Sequence, residues 1–218
     1  MIPAKNCCQV YDWPSTKVLS IGKSGSGKTT LAWKLFLERK ARFKFIYDHK
    51  AMEFSRRYGL RTCFTQDDMF KVLKQGQGTI CYSPMKQFPG RAEEGFEVFC
   101  KFVFNVSEKI KGVKLLLADE LQRLQGTNSR PEALMEICDI GRTFQIDCYF
   151  IASASNTIHN LVKGQITEAY CFLHGPGANC DWEKDFGFEE NALFRLRKGL
   201  WHWRHEDGRC KIGGNAFG

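Results

Sequence analysis

One run of residues constrains this chain more than any other feature of its sequence. The apolar segment 18–21 leads into Gly22-Lys-Ser-Gly-Ser-Gly-Lys-Thr-Thr30, which matches the pattern G-x-x-x-x-G-K-[ST]. Its glycines let the backbone curl until consecutive N–H groups point inward, and a helix that begins near Lys28 adds the positive end of its dipole. The sequence therefore predicts a phosphate-binding loop between a strand and a helix.

This loop is a Walker A motif, and it predicts how a nucleotide is held. Lys28 is expected to reach the β- and γ-phosphates, and the hydroxyl of Thr29 to ligate a magnesium ion. We expect Thr30 to cap the helix or to pack against it. The residues expected to contact ATP are Gly22, Lys23, Ser24, Gly25, Ser26, Gly27, Lys28, Thr29 and Thr30.

A second motif supplies carboxylates. The apolar run 114–118 ends in Asp119 and Glu120, as a Walker B motif does, and we expect it on a strand neighbouring the Walker A strand. Asp119 would hold Mg²⁺ through water, and Glu120 would polarise the attacking water. The Asp-Glu pair favours ATP hydrolysis, and the alternative is a strand that merely ends in a solvated acidic turn.

The composition is that of an ordinary globular protein. Of the 218 residues, 43% are hydrophobic and 26% are charged, which suits a single domain over residues 1–218. Apolar stretches reach only about five residues, against the roughly 20 that cross a bilayer, so we expect no transmembrane segment. Ten cysteines without a C-x-x-C pair indicate reduced, buried thiols rather than a zinc site.

Apolar runs and helical patterns alternate along the chain. Strands are predicted at 17–21, 43–48, 79–83, 114–119, 147–153 and 170–174, and helices at 29–40, 92–109 and 131–143. This order predicts an α/β fold with a mainly parallel sheet and helices on both faces. An Asp-Gly turn predicts a C-terminal antiparallel hairpin over 199–213. Residues 1–15 are read as an N-terminal extension, and 83–90 as a functional loop.

Three further stretches, with both Walker motifs, give a resemblance that spans nearly the whole chain. The first is the strand at 43–48 with Asp48, Lys50, Glu53 and Phe54 after it. The others are Gly141-Arg142 before the strand at 147–153, and Leu196-Arg-Lys-Gly199 before the hairpin. The chain resembles P-loop ATPases of the FtsK/HerA superfamily. In its short length the chain is similar to the genome-packaging ATPases of tailless, membrane-containing double-stranded DNA viruses, which resemble a bare motor domain of about this size.

The resemblance implies a ring, most simply a hexamer, that threads double-stranded DNA into a capsid. Capsid-vertex or portal-like proteins would be its partners, and the host cytoplasm or a virion vertex its location. Arg142 would reach a neighbouring subunit's nucleotide as a trans arginine. Arg142 could instead bind the carbonyls at the end of its helix, and Arg123 or Arg130 could serve in its place.

Two further roles follow from the resemblance. Glu53 would sense nucleotide at the subunit joint, or would simply be a surface helix residue. The superfamily commonly ends its fourth strand with Gln, whereas this chain has Ser153-Ala-Ser-Asn156 there. Asn156, or Ser155, is therefore the candidate sensor of the γ-phosphate.

A formal net charge of +8 suits a protein that works beside a polyanion, although a basic surface without such a partner is the alternative. For DNA contact we favour Lys86 and Arg91, in and just after the loop at 83–90. Lys111 and Lys114 are further possibilities, and each of these side chains could instead be ordinary solvated charge.

Three other functions stay open at this point. A phage-assembly or conjugation-type ATPase would move single-stranded DNA or protein at a membrane. A P-loop kinase would need a phosphate acceptor and would ignore DNA. A non-catalytic assembly factor would bind nucleotide without turnover.

Overall fold

The computed structural model describes residues 15–49, 53–124, 132–153, 158–173, 185–188, 192 and 196–214. Its strands are β1 (Lys17–Ile21), β2 (Phe43–Tyr47), β3 (Thr62–Cys63), β4 (Thr79–Tyr82), β5 (Lys114–Ala118), β6 (Ile146–Ala152), β7 (Glu168–Phe172), β8 (Trp201–His205) and β9 (Cys210–Gly213). The helices are α1 (Lys28–Glu38), α2 (Glu53–Tyr58), α3 (Gln66–Lys74), α4 (Ala92–Lys109), α5 (Glu132–Ile140) and α6 (Asn160–Lys163). Short 3₁₀ turns lie at Pro84–Lys86 and Leu121–Arg123.

All nine strands belong to one sheet, in the order β3-β4-β2-β5-β6-β1-β7-β8-β9. The pairs from β3 to β7 are parallel, and the pairs β7–β8 and β8–β9 are antiparallel. The predicted α/β class, parallel sheet and closing hairpin are confirmed. The expectation that β5 neighbours β1 is wrong, because β6 pairs with both and lies between them.

Helices cover both faces of the sheet, and β2 shows how the residues divide. Phe45 and Tyr47 pack into the cluster formed with α3, α4, α5 and α6, whereas Ile46 packs into the cluster formed with α1 and α2. All three side chains are fully buried. A strand that is apolar at successive positions is therefore explained by burial on both faces, as parallel sheets require.

Several short elements were not predicted from the sequence. Strand β3 has two residues, too few to show a period, and α2 has six. Helix α3 did carry a signal, since Thr65 accepts a hydrogen bond from the Asp68 N–H and Asp68 bonds back to the Thr65 N–H, which is a capping box. Short elements thus escape a search based on apolar periodicity.

The C-terminal ribbon packs its aromatic residues against the sheet. The Trp203 indole N–H donates to Glu168 at 2.9 Å, and Trp201 meets Tyr170 edge to face. On strand β9, the Lys211 ammonium lies 5.1 Å from the centre of the Trp203 ring. The two tryptophans are therefore packing residues, half-buried and covered by a cation.

The structure tests only part of what the sequence predicts about membrane segments, cysteines and domains. Among the described residues, no helix has the length and apolar character needed to cross a membrane. Six described cysteines are buried free thiols, and Cys210 is exposed. The single-domain prediction and the extension at 1–15 reach beyond the described residues and stay predictions.

A buried carboxylate fixes the edge of the sheet that lies away from the Walker motifs. Asp147 of β6 is fully buried, and its two oxygens accept hydrogen bonds from the Thr16 N–H at 2.9 Å and the Arg39 guanidinium at 3.0 Å. These bonds join the start of β1 to the end of α1. The Walker A loop connects β1 to α1, so Asp147 holds the two elements that flank the loop.

We expect Asp147→Ala to lower the free energy of unfolding by about 2–4 kcal/mol, because it removes a fully buried carboxylate that binds the half-buried Thr16 N–H and the Arg39 guanidinium. Glu94→Ala is the control, since it removes an exposed ion pair with Arg91 and should cost under about 1 kcal/mol. Urea denaturation at pH 7 without nucleotide measures both. Equal losses would contradict the role assigned to Asp147.

Candidate nucleotide-binding site

The candidate site is a cleft of about 660 Å³ at the carboxyl edge of the parallel strands. The Walker A loop contributes Ser24, Gly25, Gly27, Lys28, Thr29 and Thr30. Its other walls carry Glu53 and Arg57 from α2, Asp119, Glu120, Gln122 and Arg123 after β5, Ser153 after β6, and Lys198 before β8. The volume suits a ligand of nucleotide size, and this edge is where open α/β sheets bind ligands.

The Walker A loop presents backbone donors to the cleft. Gly27 caps α1 in the left-handed region, at φ 104°, where a side chain would be strained. The first N–H groups of a helix have no partner within the helix, and the first turn of α1 contains no acidic residue. The positive end of α1 is thus open to an anion. The Lys28 ammonium lies 3.5 Å from the Lys23 carbonyl oxygen, across the same loop.

The base of the loop is packed too tightly for a side chain at Gly22. A Cβ there would lie 2.6 Å from Phe172 Cβ and 3.0 Å from the hydroxyl of Ser26. The Gly22 N–H donates to the Ala152 carbonyl, which joins the loop to the end of β6. Gly22 and Ser26 are both buried, so they support the loop rather than line the cleft.

Asp119 is a half-buried acid that lines the cleft. Burial raises its pKa from 3.8 to about 6, against the opposing effects of the Glu120 N–H, which donates to Asp119 Oδ1 at 2.7 Å, and of the nearby Lys28 charge. Oxygen ligands are those that Mg²⁺ prefers, and Thr29 and Asp119 both line the cleft. The residues present therefore fit a magnesium ion.

Glu120 has a backbone conformation that is unusual for its side chain. It lies in the left-handed region, at φ 55° and ψ 41°, which is strained for a residue other than glycine. The turn carries Arg123 back, so that its Nε lies 3.3 Å from Glu120 Oε2. The Glu120 carboxylate is therefore held in the cleft by a guanidinium three residues later.

Asp48, directly after β2, helps to place α2 beside the Walker A loop. The carboxylate of Asp48, which is buried, accepts the N–H groups of Phe54 at 3.0 Å and Ser55 at 3.4 Å. Phe54 is fully buried against Trp33, with ring centres 5.4 Å apart. These contacts fix α2 at both its start and its apolar face.

Fixing α2 brings two charged residues to the cleft. Glu53 and Arg57 lie one turn apart, with an N–O separation of 3.8 Å, and an Arg57 N–H donates to the Thr30 hydroxyl at 3.4 Å. The spacing of Asp48, Glu53 and Phe54 thus has a physical reason. Asp48 caps α2, Phe54 anchors its apolar face, and Glu53 carries a charge to the cleft. Arg57 is a cation of the site that sequence reasoning missed.

Comparison with solved structures places this geometry in a known fold. The genome-packaging NTPase B204 of Sulfolobus turreted icosahedral virus 2, in complex with ATP-gammaS, superposes with a TM-score of 0.73 at 16% identity, covering 94% of this chain and 100% of that one. This chain shares the fold of that NTPase. B204, the DNA-packaging ATPase of Sulfolobus turreted icosahedral virus, gives 0.65 at 18% identity over 93% and 98% of the two chains.

The same fold also occurs in a protein with a different name. VirB4 of Thermoanaerobacter pseudethanolicus superposes with a TM-score of 0.65 at 9% identity, covering 94% of this chain and 90% of that one. The resemblance inferred from the sequence motifs is thereby confirmed at the level of fold. No family model and no curated protein sequence matches the chain.

Most residues predicted to contact nucleotide line the cleft, as do Asp119 and Glu120. Lys23 does not line it, although its N–H anchors the loop to the Leu173 carbonyl. Asn156, Ser155 and Arg130 lie outside the described residues, so their predicted roles stay predictions.

Arg142 lies away from the cleft of its own chain. It is exposed and precedes β6, whereas the Walker A loop follows β1, which runs parallel to β6. The seven residues of β6 separate the two edges by roughly 23 Å at about 3.3 Å per residue. Any catalytic role for Arg142 therefore requires the nucleotide of another subunit.

The candidate DNA contacts separate into two groups. Lys86 and Arg91 are exposed and follow β4 at the carboxyl edge, the edge of the cleft, whereas Lys111 is exposed before β5 at the opposite edge. Lys114 is a wrong candidate, because it is 1% exposed and its ammonium donates to the Phe144 carbonyl at 2.7 Å. Burial lowers the pKa of Lys114 to about 8.

Gln122, Ser153 and Lys198 are cleft residues that sequence reasoning did not assign to the site. Gln122 follows the Walker B carboxylates directly. Ser153 begins the segment 153–156, in which the candidate γ-phosphate sensor was expected. Lys198 comes from the Leu196–Gly199 stretch, so that stretch also has a place in the cleft. Their side-chain directions depend on the turns after β5 and β6, which local sequence patterns do not specify.

We expect Asp119→Asn to stabilise the nucleotide-free protein above pH 6. A pKa near 6 in the folded state, against 3.8 unfolded, means that stability falls as the pH rises through this window, up to about 3 kcal/mol. Asparagine keeps the acceptor for the Glu120 N–H and removes the charge. Urea denaturation in EDTA from pH 4.5 to 8 should show a gain that grows to pH 6 and then levels. A gain independent of pH would contradict this.

Proposed function

We propose that this protein is an ATP-hydrolysing motor that packages double-stranded DNA into a viral capsid. The observation that carries the proposal is the meeting of the Walker A loop with Asp119 and Glu120 in one cleft. That cleft belongs to a fold shared over nearly the whole chain with B204, which is described as a DNA-packaging ATPase.

Binding of ATP falls to groups already placed around the cleft. The loop N–H groups and the start of α1 receive the phosphates, and Lys28 moves from the Lys23 carbonyl to the β- and γ-phosphates. Thr29 and Asp119 would hold Mg²⁺ together with the phosphate oxygens. When bound, the ion would supply positive charge that neutralises the phosphates.

Hydrolysis is assigned to Glu120. Its carboxylate orients a water molecule for attack on the γ-phosphorus and accepts a proton from it, while the bond from that phosphorus to the β–γ bridging oxygen breaks and ADP leaves. Arg123, at 3.3 Å, fixes the carboxylate and balances its charge beside Asp119. The strained backbone of Glu120 is consistent with a side chain whose direction matters more than its conformational cost.

The active assembly we propose is a homo-oligomeric ring, with six subunits the simplest form, through which the DNA passes. Arg142, too far from its own cleft to act there, would complete the cleft of a neighbouring subunit. Lys86 and Arg91 would face the DNA. Capsid-vertex or portal-like proteins would be the ring's partners, and it would work in the host cytoplasm or at a virion vertex.

A phage-assembly or conjugation-type ATPase is the second candidate, because the fold is not confined to packaging NTPases: VirB4 shares it over 94% of this chain. It would move single-stranded DNA or protein at a membrane. A P-loop kinase differs from both in needing a small phosphate acceptor. Turnover measured with different effectors separates the three.

We expect Glu120→Gln to lower the rate of ATP hydrolysis by about 10²–10⁴-fold, because it removes the proton acceptor, while Mg-ATP still binds. Double-stranded DNA at low salt should raise the rate of the unaltered protein. Glu136→Gln, an exposed change on α5, is the matched control and should leave the rate unchanged. Phosphate release with double-stranded DNA, with single-stranded DNA and without DNA measures these rates.

Stimulation by single-stranded DNA alone would favour the conjugation-type candidate. Turnover that ignores DNA and needs a small acceptor would overturn the motor in favour of a kinase. Nucleotide binding without turnover under every condition would favour the assembly factor.

We expect the double variant Lys86→Ala/Arg91→Ala to weaken DNA stimulation and to leave DNA-independent turnover unchanged. Each lost phosphate contact should reduce the slope of log affinity against log salt by about 0.9. Lys111→Ala, exposed at the opposite edge, is the control. A larger effect from Lys111→Ala would move the DNA path to that edge.

A further inference from the structure

Gln122 joins the ends of two strands at the cleft. It lies in the 3₁₀ turn Leu121–Arg123, directly after Asp119 and Glu120, and its side chain is half-buried. Its amide oxygen accepts the Ser153 N–H at 3.2 Å, although 31 positions separate the two residues. Both residues line the cleft. The turn after β5 and the end of β6 are therefore coupled by one side chain.

The chemistry of this bond fixes which way the amide points. A backbone N–H can only donate, so the side chain must present its oxygen to Ser153. The amide nitrogen, with two N–H groups, then lies on the other arm of the planar group. A glutamine that lines the cleft in this way can still donate from its nitrogen while its oxygen is engaged with the backbone.

The surroundings of Gln122 identify an anionic ligand. The same turn holds Glu120 and Arg123, and the Walker A loop forms another wall of the same cleft. A neutral donor in the same cleft as the Glu120 carboxylate and the phosphate loop can approach a phosphate oxygen without adding charge. It would meet the outermost phosphate, because Glu120 is assigned to the water that attacks that group.

We propose that Gln122 reads the terminal phosphate of the bound nucleotide, with its amide N–H donating to a γ-phosphate oxygen and its oxygen holding Ser153. Loss of the γ-phosphate removes one of the two attachments of the side chain, and the end of β6 follows the nucleotide state through the other. This inference rests on the proposed function of the cleft and assigns the sensing role to the turn after β5.

The two ends of the amide can be separated by substitution. Gln122→Glu keeps an oxygen for the Ser153 N–H but replaces the donor by a negative oxygen. Gln122→Met keeps the length and removes both groups. Gln77→Glu, an exposed position outside the cleft, controls for the added charge. Thermal unfolding of each variant without nucleotide checks that the fold is retained.

Calorimetric binding of Mg-AMPPCP and Mg-ADP is the test, because it needs no hydrolysis. We expect Gln122→Glu and Gln122→Met to weaken AMPPCP binding by about 10- to 100-fold, as for the loss of a hydrogen bond to a charged group, and to change ADP binding by less than about twofold. Gln77→Glu should bind both nucleotides as the unaltered protein does.

Other outcomes overturn the inference. AMPPCP binding by Gln122→Glu that equals that of the unaltered protein would leave Gln122 only its bond to Ser153. Equal weakening of both nucleotides would mean a general disturbance of the cleft. If Gln122→Glu does not fold, Gln122→Met decides by the same two affinities. A protein that binds AMPPCP normally but never hydrolyses ATP would overturn the proposed motor and leave this inference standing.

Discussion

The whole cleft depends on the parallel pairing of β5, β6 and β1. Ile21 lies in register with Ala152, and Ala118 with Phe150, so three strands that are distant in sequence end at one edge. Because no antiparallel pair interrupts them, the turns that follow all face the same solvent. A change in this register by one residue would turn side chains to the opposite face of the sheet and would separate the Walker A loop from its carboxylates.

Function places groups in this cleft that folding alone would not favour. Asp119 is half-buried with a raised pKa, Glu120 has a left-handed backbone, and Glu53 adds a third carboxylate nearby. The surrounding structure holds these groups by backbone contacts, such as the Phe54 and Ser55 N–H groups that Asp48 Oδ2 accepts at the start of α2. The site is therefore locally destabilising within a well-packed structure. Bound nucleotide and metal would supply the charges that balance those of its side chains.

The sequence predicted what depends on neighbouring residues and missed what depends on the turns between strands. The Walker A loop, the strand before it and the Asp119-Glu120 pair are local patterns, and each was found. The position of β6 between β5 and β1 was not, because strand order is set by long-range pairing. Arg57 and Gln122 follow recognised motifs by a few residues, but their directions come from a six-residue helix and a 3₁₀ turn. Lys114 was misread because a lysine at the start of an apolar run looks solvent-exposed, whereas here its ammonium reaches a buried carbonyl.

The ribbon that ends the sheet also bears on how copies of this chain can meet. Strand β9 lies at the end of the sheet, and a strand in this position can pair with the edge of another molecule. Lys211 is exposed at its centre, with its charge drawn over Trp203, so a second strand added here would bring a further backbone against a fixed cation. This arrangement disfavours open-ended growth of one sheet into the next. It favours helix and loop surfaces over the β9 edge for contacts between copies of this chain.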